Sequence, residues 1–521
     1  MEIQKKEYRI IRQKSCAASQ ITLDEDYNVP DSRPDVGRMI QKKGSVQIQK
    51  VKVQEGRAGL TGRLAFCLLY VSDDEERRIH SLDGVIPLDE TLNLEGLHDG
   101  DKIRLKWEVE DLTIRLIHPR KLNIQAIITF EAVVHENVAL MLPEDVRAAE
   151  GVSIKKQDVR ILGICVHRKD TIRRKEEITL PSNKPDVEEI LWHDAQIRGL
   201  EMRCGDGEIL LKGELFVFVL YMGGEENNPP EWIEQAIPFN DSLECEQCRA
   251  DMLPNIDLQM IQASVTAKPD ADGEERLLQA EVVLEADIRL QREETFNLLM
   301  DAYAPTKDYI PVCREENTEH LLIKNDAKCR ISDRVEAGDV PGKILQICHS
   351  DGSVKVDRTE IREEGIYVEG VLMVRILYIV SDDNMPFYAM EASVPFQHLI
   401  EVPEIEADCR FDMRTDLEQL STAMVDSREI ELKAVLNFNT LVLCPNRLCL
   451  VQEIRENELD TARIRDLPGI VSYRVRPEDS LWDLAKRFYT TIGEIQALNE
   501  LPEDSELRPG QTLLLVKNVE S

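Results

Sequence analysis

The alternation of polar and apolar residues predicts β-strands over most of this chain. Residues 215–221 are all apolar and rich in aromatic and β-branched side chains, which is typical of a strand buried on both faces. Residues 122–128 and 430–436 alternate apolar and polar side chains, which indicates strands with one face on a core and one face in solvent. Turn residues separate these short strands, so the pattern favours antiparallel sandwich or barrel-like units.

A set of anchor residues recurs three times with the same spacing. In each copy a Tyr follows a Gly by 8 residues and a Pro follows the Tyr by 17, and the copies are offset by 151 and 157 residues. The anchors are Gly62, Tyr70 and Pro87, then Gly213, Tyr221 and Pro238, then Gly370, Tyr378 and Pro395. We interpret each Gly as a bulge or a close approach of two backbones and each Pro as part of an edge strand. The Tyr is predicted to be a repeated core position.

The repeats divide the chain into four predicted units. The first covers residues 1–140, the second 141–305, the third 306–460 and the last 461–521. The second and third units include preceding connectors, near residues 136–178 and 305–334, because the sequence there is charged and mixed. The predicted fold class is mainly β: three repeated antiparallel β-sandwich or barrel-like domains followed by a small α+β module.

The last unit has its own pattern, in the order strand, helix, helix, strand. Apolar residues at 481, 484, 485 and 488 have helical spacing, and Ser480 before them is a suitable N-cap. Thr491 and Glu494 have the spacing of a capping box at the start of a second helix. Residues 471–475 and 512–516 are the predicted flanking strands.

The residues of this last unit closely resemble the LysM module. The matching positions are Tyr473, Val475, Pro477, Asp479, Ser480, Leu481, Trp482, Leu484, Ala485, Phe488, Leu498, Asn499, Leu507, Pro509, Gly510, Gln511 and Leu513. The resemblance implies a groove for peptidoglycan or another N-acetylglucosamine polymer. Its two walls would be Asp479, Ser480 and Leu481 on one side and Asn499, Glu500, Leu501 and Pro502 on the other.

Three features of the module need separate comment. Glu478 stands where the LysM family usually has Gly, and Val516-Lys517 replaces the usual terminal Ile-Pro. The acidic side chain of Glu478 would lie beside the predicted groove. Trp482 lies off the apolar stripe of its helix, so it either packs on the sheet edge or contacts a binding partner.

Charge and hydropathy indicate which classes of partner to expect and in which compartment the protein acts. The chain has 98 Asp and Glu against 64 Lys and Arg, a net charge of −34, whereas nucleic-acid binding needs a basic surface. We therefore expect no nucleic-acid partner. No apolar run approaches the roughly 20 residues of a spanning helix, and no apolar segment follows the N-terminal residues as in a signal peptide. The sequence predicts a cytoplasmic protein without membrane insertion.

Motif searches give no catalytic, cofactor or metal site. The twelve cysteines are expected to be mostly small buried apolar residues in a reducing compartment. Cys245 and Cys248 form the one Cys-x-x-Cys motif, but the sequence shows neither a second Cys pair nor a His pair at zinc-site spacing. We find no nucleophile elbow and no zinc-protease motif, so the chain is predicted not to be an enzyme.

The combination of a repeated β-domain with a single C-terminal LysM module resembles the SipL-type spore-coat morphogenetic proteins of clostridia. This resemblance implies a non-catalytic scaffold or adapter that works in the mother cell at the forespore surface. Its LysM module would bind a coat morphogenetic protein of the stage IV sporulation protein A type. The alternative is a peptidoglycan-binding or N-acetylglucosamine-binding protein that acts through LysM. A hydrolase that uses LysM for targeting is disfavoured, because the repeats contain no clustered catalytic residue types.

Overall fold

The computed structural model describes residues 2–147, 151–224, 229–338, 342–382, 386–459, 468–502 and 507–517. Unit 1 contains β1 (Glu2–Asn28), β2 (Val36–Gln54), β3 (Arg57–Ser72), β4 (Ile79–Asn93), β5 (Lys102–His118) and β6 (Lys121–Arg147). Unit 2 contains β7 (Ser153–Thr179), β8 (Val187–Cys204), β9 (Glu208–Gly223), β10 (Glu231–Glu244), β11 (Leu253–Lys268) and β12 (Leu277–Tyr303). Unit 3 contains β13 (Asp308–Glu336), β14 (Ile344–Arg362), β15 (Gly365–Val380), β16 (Phe387–Glu401), β17 (Arg410–Met424) and β18 (Glu429–Asn457).

Each unit is built from two antiparallel three-stranded sheets. In unit 1 their strand orders are β2-β3-β4 and β1-β6-β5, and the same two orders recur in units 2 and 3. Alternate side chains of the two sheets form one apolar core in each unit, as expected for aligned sandwiches. The predicted fold class is therefore confirmed.

The repeated Gly residues lie where two backbones come close. A Cβ atom on Gly62 would lie 2.5 Å from the Gln47 carbonyl oxygen, and one on Gly370 would lie 2.1 Å from that of Lys355. At Gly213 the nearest atoms would be 3.1–3.2 Å away. Each Gly faces a register shift in the adjoining strand, β2, β8 or β14, so the local bulge leaves no room for a side chain.

The repeated Tyr and Pro residues have different surroundings. The three Tyr side chains are buried, and the hydroxyls of Tyr70 and Tyr221 donate hydrogen bonds to the carbonyls of Pro34 and Pro185, at 3.0 and 3.3 Å. These bonds fix the segment that enters β2 and β8. Pro87, Pro238 and Pro395 lie in β4, β10 and β16, each at one edge of its sheet.

In the sheet β1-β6-β5, strands β1 and β6 are much longer than the short strands that the sequence pattern suggested, and the same holds for their equivalents in units 2 and 3. Strands β1 and β6 pair along their full length, but β5 covers only residues 121–135 of β6. The remainder is a two-stranded arm, and units 2 and 3 form equivalent arms. The arms comprise residues 2–12, 136–147, 153–163, 292–303, 308–320 and 444–457. The segments expected to be connectors, 136–178 and 305–334, are therefore mostly strand.

The three arms pack against one another and form what we call the stalk. Two apolar clusters contain residues of all three arms, including Leu140, Phe296 and Leu450 in one and Val146, Leu299 and Val451 in the other. An isolated two-stranded ribbon has too little buried surface to be stable in water. The long strands are stable here because each arm buries its apolar face against the other two.

The three sandwiches also close around a common axis. Leu69, Leu220 and Leu377 occupy corresponding positions and form part of one buried cluster shared by all three units. The ring closes because unit 3 contacts unit 1: Arg375 donates to the Lys42 carbonyl at 3.3 Å, and Arg38 donates to that of Phe387 at 2.9 Å. The units are thus neither independent nor linear in arrangement.

The last unit contains β19 (Ile470–Arg474), α1 (Leu481–Phe488), α2 (Ile492–Leu498) and β20 (Thr512–Val516). The strands pair antiparallel, and the two helices cover one face of the hairpin. Ser480 caps α1, and Thr491 with Glu494 forms the capping box of α2. The predicted boundary at 460/461 lies outside the described residues.

Two further features concern the whole chain. Among the residues that the structure describes, no helix is long and apolar enough to span a membrane. Cys409 and Cys444 are joined by a disulfide, which departs from the expectation of reduced cysteines for this pair.

Candidate binding site on the C-terminal unit

The first wall of the predicted groove uses its polar side chains internally. The Asp479 carboxylate accepts hydrogen bonds from the Tyr473 hydroxyl and the Arg476 N–H, both at 2.8 Å, and the side chain is almost completely buried. Ser480 accepts from the Asp483 N–H at 3.1 Å and donates to its carboxylate at 2.5 Å. Both residues hold the turn that enters α1.

On the second wall, Asn499 also uses its polar side chain for hydrogen bonds within the module. Its side-chain amide donates to the carbonyls of Ile495 and Leu514, each at 2.8 Å, and its oxygen accepts from the Leu514 N–H at 2.7 Å. These three bonds use the donors and the acceptor of the amide and tie the end of α2 to β20. Asn499 therefore has a structural role in joining two elements.

The other predicted wall residues offer few polar groups. Leu481 and Leu501 are partly buried and pack against the core of the module. Glu500 is exposed, with a left-handed backbone conformation (φ 54°), and Pro502 is also exposed. Two exposed acids lie at this site: Glu478, next to the first wall, and Glu500, in the second wall.

Trp482 is buried against the stalk. Its ring lies edge-on to Tyr303 with centroids 4.7 Å apart, and its Nε1–H donates to an Asp301 carboxylate oxygen at 2.8 Å. Lys486, one turn further along α1, donates to both oxygens of Asp301 at 2.7 and 2.9 Å. Two roles were considered for Trp482: packing on the sheet edge of its own module and contact with a separate binding protein. Neither describes this contact, because Trp482 packs on strand β12 of the same chain.

An apolar surface lies on the opposite side of the module. Leu513 and Leu515 of β20 point into the core, so Leu514 and Val516 point away from the helices. Val516 pairs directly with Ile470 of β19, and the three outward side chains are 66% (Ile470), 40% (Leu514) and 37% (Val516) exposed. We call these three residues the hairpin face. Sequence reasoning missed it, although the uninterrupted apolar run at 513–516 was a usable signal, because alternate residues of a strand point to opposite faces.

A second polar cluster lies where the three sandwiches meet. Lys43, Asp194 and Asp351 occupy corresponding positions on β2, β8 and β14, and Lys43 forms an ion pair with Asp194. His349 lies 3.5 Å from Asp194 and 3.1 Å from Glu234. Arg375 pairs with Asp351. The carboxylates are thus matched by basic groups, and the cluster joins the three units as an ion-pair network.

Comparisons with known proteins identify the repeated and the C-terminal units. The family model described as "SipL, SPOCS domain" matches residues 35–117, 186–268 and 343–425, and the LysM domain model matches residues 473–516. Each SPOCS match covers the strands from β2 to β5 or their equivalents and leaves the long outer strands outside. The comparison with curated proteins and the comparison with solved structures found no match. The chain therefore contains three SPOCS domains followed by one LysM domain.

Proposed function

We propose that this chain is a non-catalytic adapter in spore-coat assembly and that its LysM domain binds a coat morphogenetic protein of the stage IV sporulation protein A type. SPOCS and LysM domains are binding modules, and their combination fits a sporulation-related adapter. We further propose that the protein acts in the mother-cell cytoplasm, at the forespore surface. The observation that carries the choice of a protein partner is the hairpin face.

The hairpin face has the composition of a protein-binding surface. Ile470, Leu514 and Val516 expose large apolar side chains beside one another, and clustered exposed apolar groups commonly mark protein interfaces. The stalk contact lies on α1, so docking of the module leaves the hairpin face exposed. A partner that buries these three side chains would gain roughly 1–3 kcal/mol from each well-packed residue.

The alternative ligand is peptidoglycan, bound in the groove between the two predicted walls. LysM domains in general support such binding. In this chain, however, the side chains of Asp479 and Asn499 already have internal hydrogen-bond partners. The other wall residues described are the partly buried Leu481 and Leu501 and the exposed Glu500 and Pro502, which offer a glycan few polar side chains. We therefore rank the glycan second.

A parallel binding assay distinguishes the two ligands. The full chain is incubated with purified stage IV sporulation protein A in one arm and with insoluble peptidoglycan in the other. Leu514→Lys should weaken protein binding at least 10-fold, because it places a charge in the apolar interface. The matched control is Val425→Lys, which changes another exposed apolar residue (45% exposed) in unit 3 and should leave binding unchanged.

Either result of the assay is informative. Retention on peptidoglycan alone, with no change in Leu514→Lys, would reject the adapter role and favour the glycan. Binding to the protein that is insensitive to Leu514→Lys, but lost when Leu501 is replaced by Asp, would keep the adapter role and move its site to the groove.

A further inference from the structure

A cavity of about 620 Å³ lies between unit 2 and unit 3. Strands β8, β9 and β10 of unit 2 form one side of it, and strands β13, β17 and β18 of unit 3 form the other. Its apolar lining includes Phe216, Leu420 and Val435, and its basic groups include Arg198 and Arg330. Small-molecule sites typically have volumes of roughly 300–1,000 Å³ and a mainly apolar lining with a few polar groups. The cavity therefore has the size and the lining of such a site.

Arg198 is a buried cation without an ion-pair partner. It is 8% exposed and is one of two buried arginines in the described part of the chain; the other, Arg289, pairs with Asp257 at 2.7 Å. The Arg198 guanidinium lies over the Phe216 ring, with its Cζ 3.7 Å from the ring centroid. Its Nε and Nη2 donate to the Gln196 side-chain oxygen at 3.3 and 3.0 Å, whereas Nη1 has no hydrogen-bond partner among the described residues. Because a buried charge without a partner is costly, this group would gain stability from an anion in the cavity.

The interface between unit 3 and unit 1 shows what a basic residue at this position binds. Lys355 lies 157 residues after Arg198, which is the offset between units 2 and 3, and it forms an ion pair with Glu110 of unit 1. Glu110 is the bulge residue of β5, and Glu418 is the bulge residue of β17, so the two acids correspond. The Glu418 carboxylate, however, pairs with Lys328 of its own unit at 2.7 Å. Arg198 therefore lacks the carboxylate that its position receives at the other interface.

The other charged groups near the cavity do not neutralise Arg198. Burial lowers the pKa of Arg198, but a guanidinium stays protonated in proteins. The carboxylates of the ion-pair network on the common axis also act on Arg198, and each of them already has a basic partner. Glu214 pairs with Arg198 in strand register, but its side chain is exposed and forms neither a hydrogen bond nor an ion pair with Arg198. Arg330, exposed and without an ion pair to a described residue, adds a second positive charge from unit 3.

We propose that this cavity binds a small organic carboxylate with an apolar body. The carboxylate would accept hydrogen bonds from Nη1 and Nη2 of Arg198, in the bidentate arrangement that arginine and carboxylate groups favour. Arg330 would supply the second positive charge, and the apolar body would lie against Leu420 and Val435 of unit 3. The ligand would thus take the role that Glu110 has at the other interface and would connect unit 2 to unit 3.

The test compares a carboxylate probe with a neutral probe of the same shape on the full chain. Binding of trifluoromethylbenzoate and of trifluoromethylbenzyl alcohol is measured by fluorine NMR titration. Arg198→Gln installs the residue that unit 1 has at this position, Gln47, so the variant should fold. The matched control is Arg203→Gln, which removes the same charge from a residue of the same strand whose side chain is 78% exposed.

We expect the wild type and Arg203→Gln to bind the benzoate about 10-fold more tightly than the alcohol, and Arg198→Gln to lose this preference, because a hydrogen-bonded charge pair contributes at least that factor. The proposal is wrong if the wild type does not bind the benzoate or binds both probes equally, a result that needs no variant. It is also wrong if Arg198→Gln binds the benzoate as tightly as Arg203→Gln does. A gain of about 10-fold in Glu418→Gln would overturn it as well, because Arg198 would then be paired with Glu418 in solution.

Discussion

Replacing Lys43 with Met tests whether the ion-pair network on the common axis holds the three sandwiches together. The Asp194 side chain is 1% exposed and forms an ion pair with Lys43 of another unit. In the variant, the remaining partner described for this carboxylate is His349, at 3.5 Å. Removing one partner of a buried pair leaves an uncompensated charge, which costs about 3–5 kcal/mol. Because Lys43 itself is about one-third exposed and water can approach it, we expect a loss near the lower end, ~3 kcal/mol.

The effect should depend on pH in a defined direction. Burial raises the pKa of Asp194, but Lys43 and His349 outweigh burial, and the net pKa lies below its usual value. A carboxyl with a lowered folded pKa stabilises the fold above its unfolded pKa, near 4, and this stability is lost as the pH falls through the folded pKa. Without Lys43 the pKa of Asp194 rises. Acid unfolding of the variant should therefore begin at a higher pH than that of the wild type.

Urea unfolding followed by tryptophan fluorescence measures the effect, because the buried Trp192 lies two residues from Asp194. Lys42→Met is the control, since it removes the same charge from the adjoining residue. In the double variant, Asp194→Asn should restore more than half of the stability lost in Lys43→Met. The reasoning is refuted if Lys43→Met costs less than 1 kcal/mol, or if Asp194→Asn restores nothing in that background.

Three further changes test other parts of the structure. Gly370→Ala should destabilise the chain by about 1–3 kcal/mol, measured by urea unfolding, because its Cβ would lie 2.1 Å from the Lys355 carbonyl; an unchanged midpoint would exclude the close approach. Asp301→Ala should release the LysM domain, which hydrogen exchange would report as faster exchange at the Trp482 indole; unchanged protection would contradict the docking. Tyr70→Phe should cost about 1 kcal/mol in thermal unfolding through loss of a 3.0 Å hydrogen bond to a backbone carbonyl, and a neutral result would show that the hydroxyl bond contributes nothing.

The repeat anchors are a feature that could be predicted from the sequence pattern alone. Gly62 and Tyr70 recur at fixed spacing because the same bulge and the same buried ring recur in each sandwich. Strand lengths could not be predicted in this way. The arm residues of β1, 2–12, have a mixed and charged pattern, and they form a strand because the other arms cover their apolar face. For β1 that cover comes from parts of the chain more than 100 residues away.

In the LysM module, too, the sequence predicted the local elements but did not predict how the site residues are used. The helices and their caps follow from Ser480, Thr491 and Glu494, since capping is a local hydrogen-bonding property. Whether the side chains of Asp479 and Asn499 are free to bind a ligand depends on which hydrogen-bonding groups the fold brings near them. A motif match fixes the residue type but does not say whether its hydrogen bonds are free for a ligand.

By itself the sequence determined the number of repeats, the β class of the units and the presence of a LysM module, because spacing and periodicity reflect contacts that are close along the chain. Tertiary structure alone decided the closed ring, the stalk and the docking of Trp482 on β12. It also decided that Lys43 of one unit would pair with Asp194 of the next. The physical reason is that burial and ion pairing depend on distance in space, and corresponding positions of the three units become neighbours only when the ring closes.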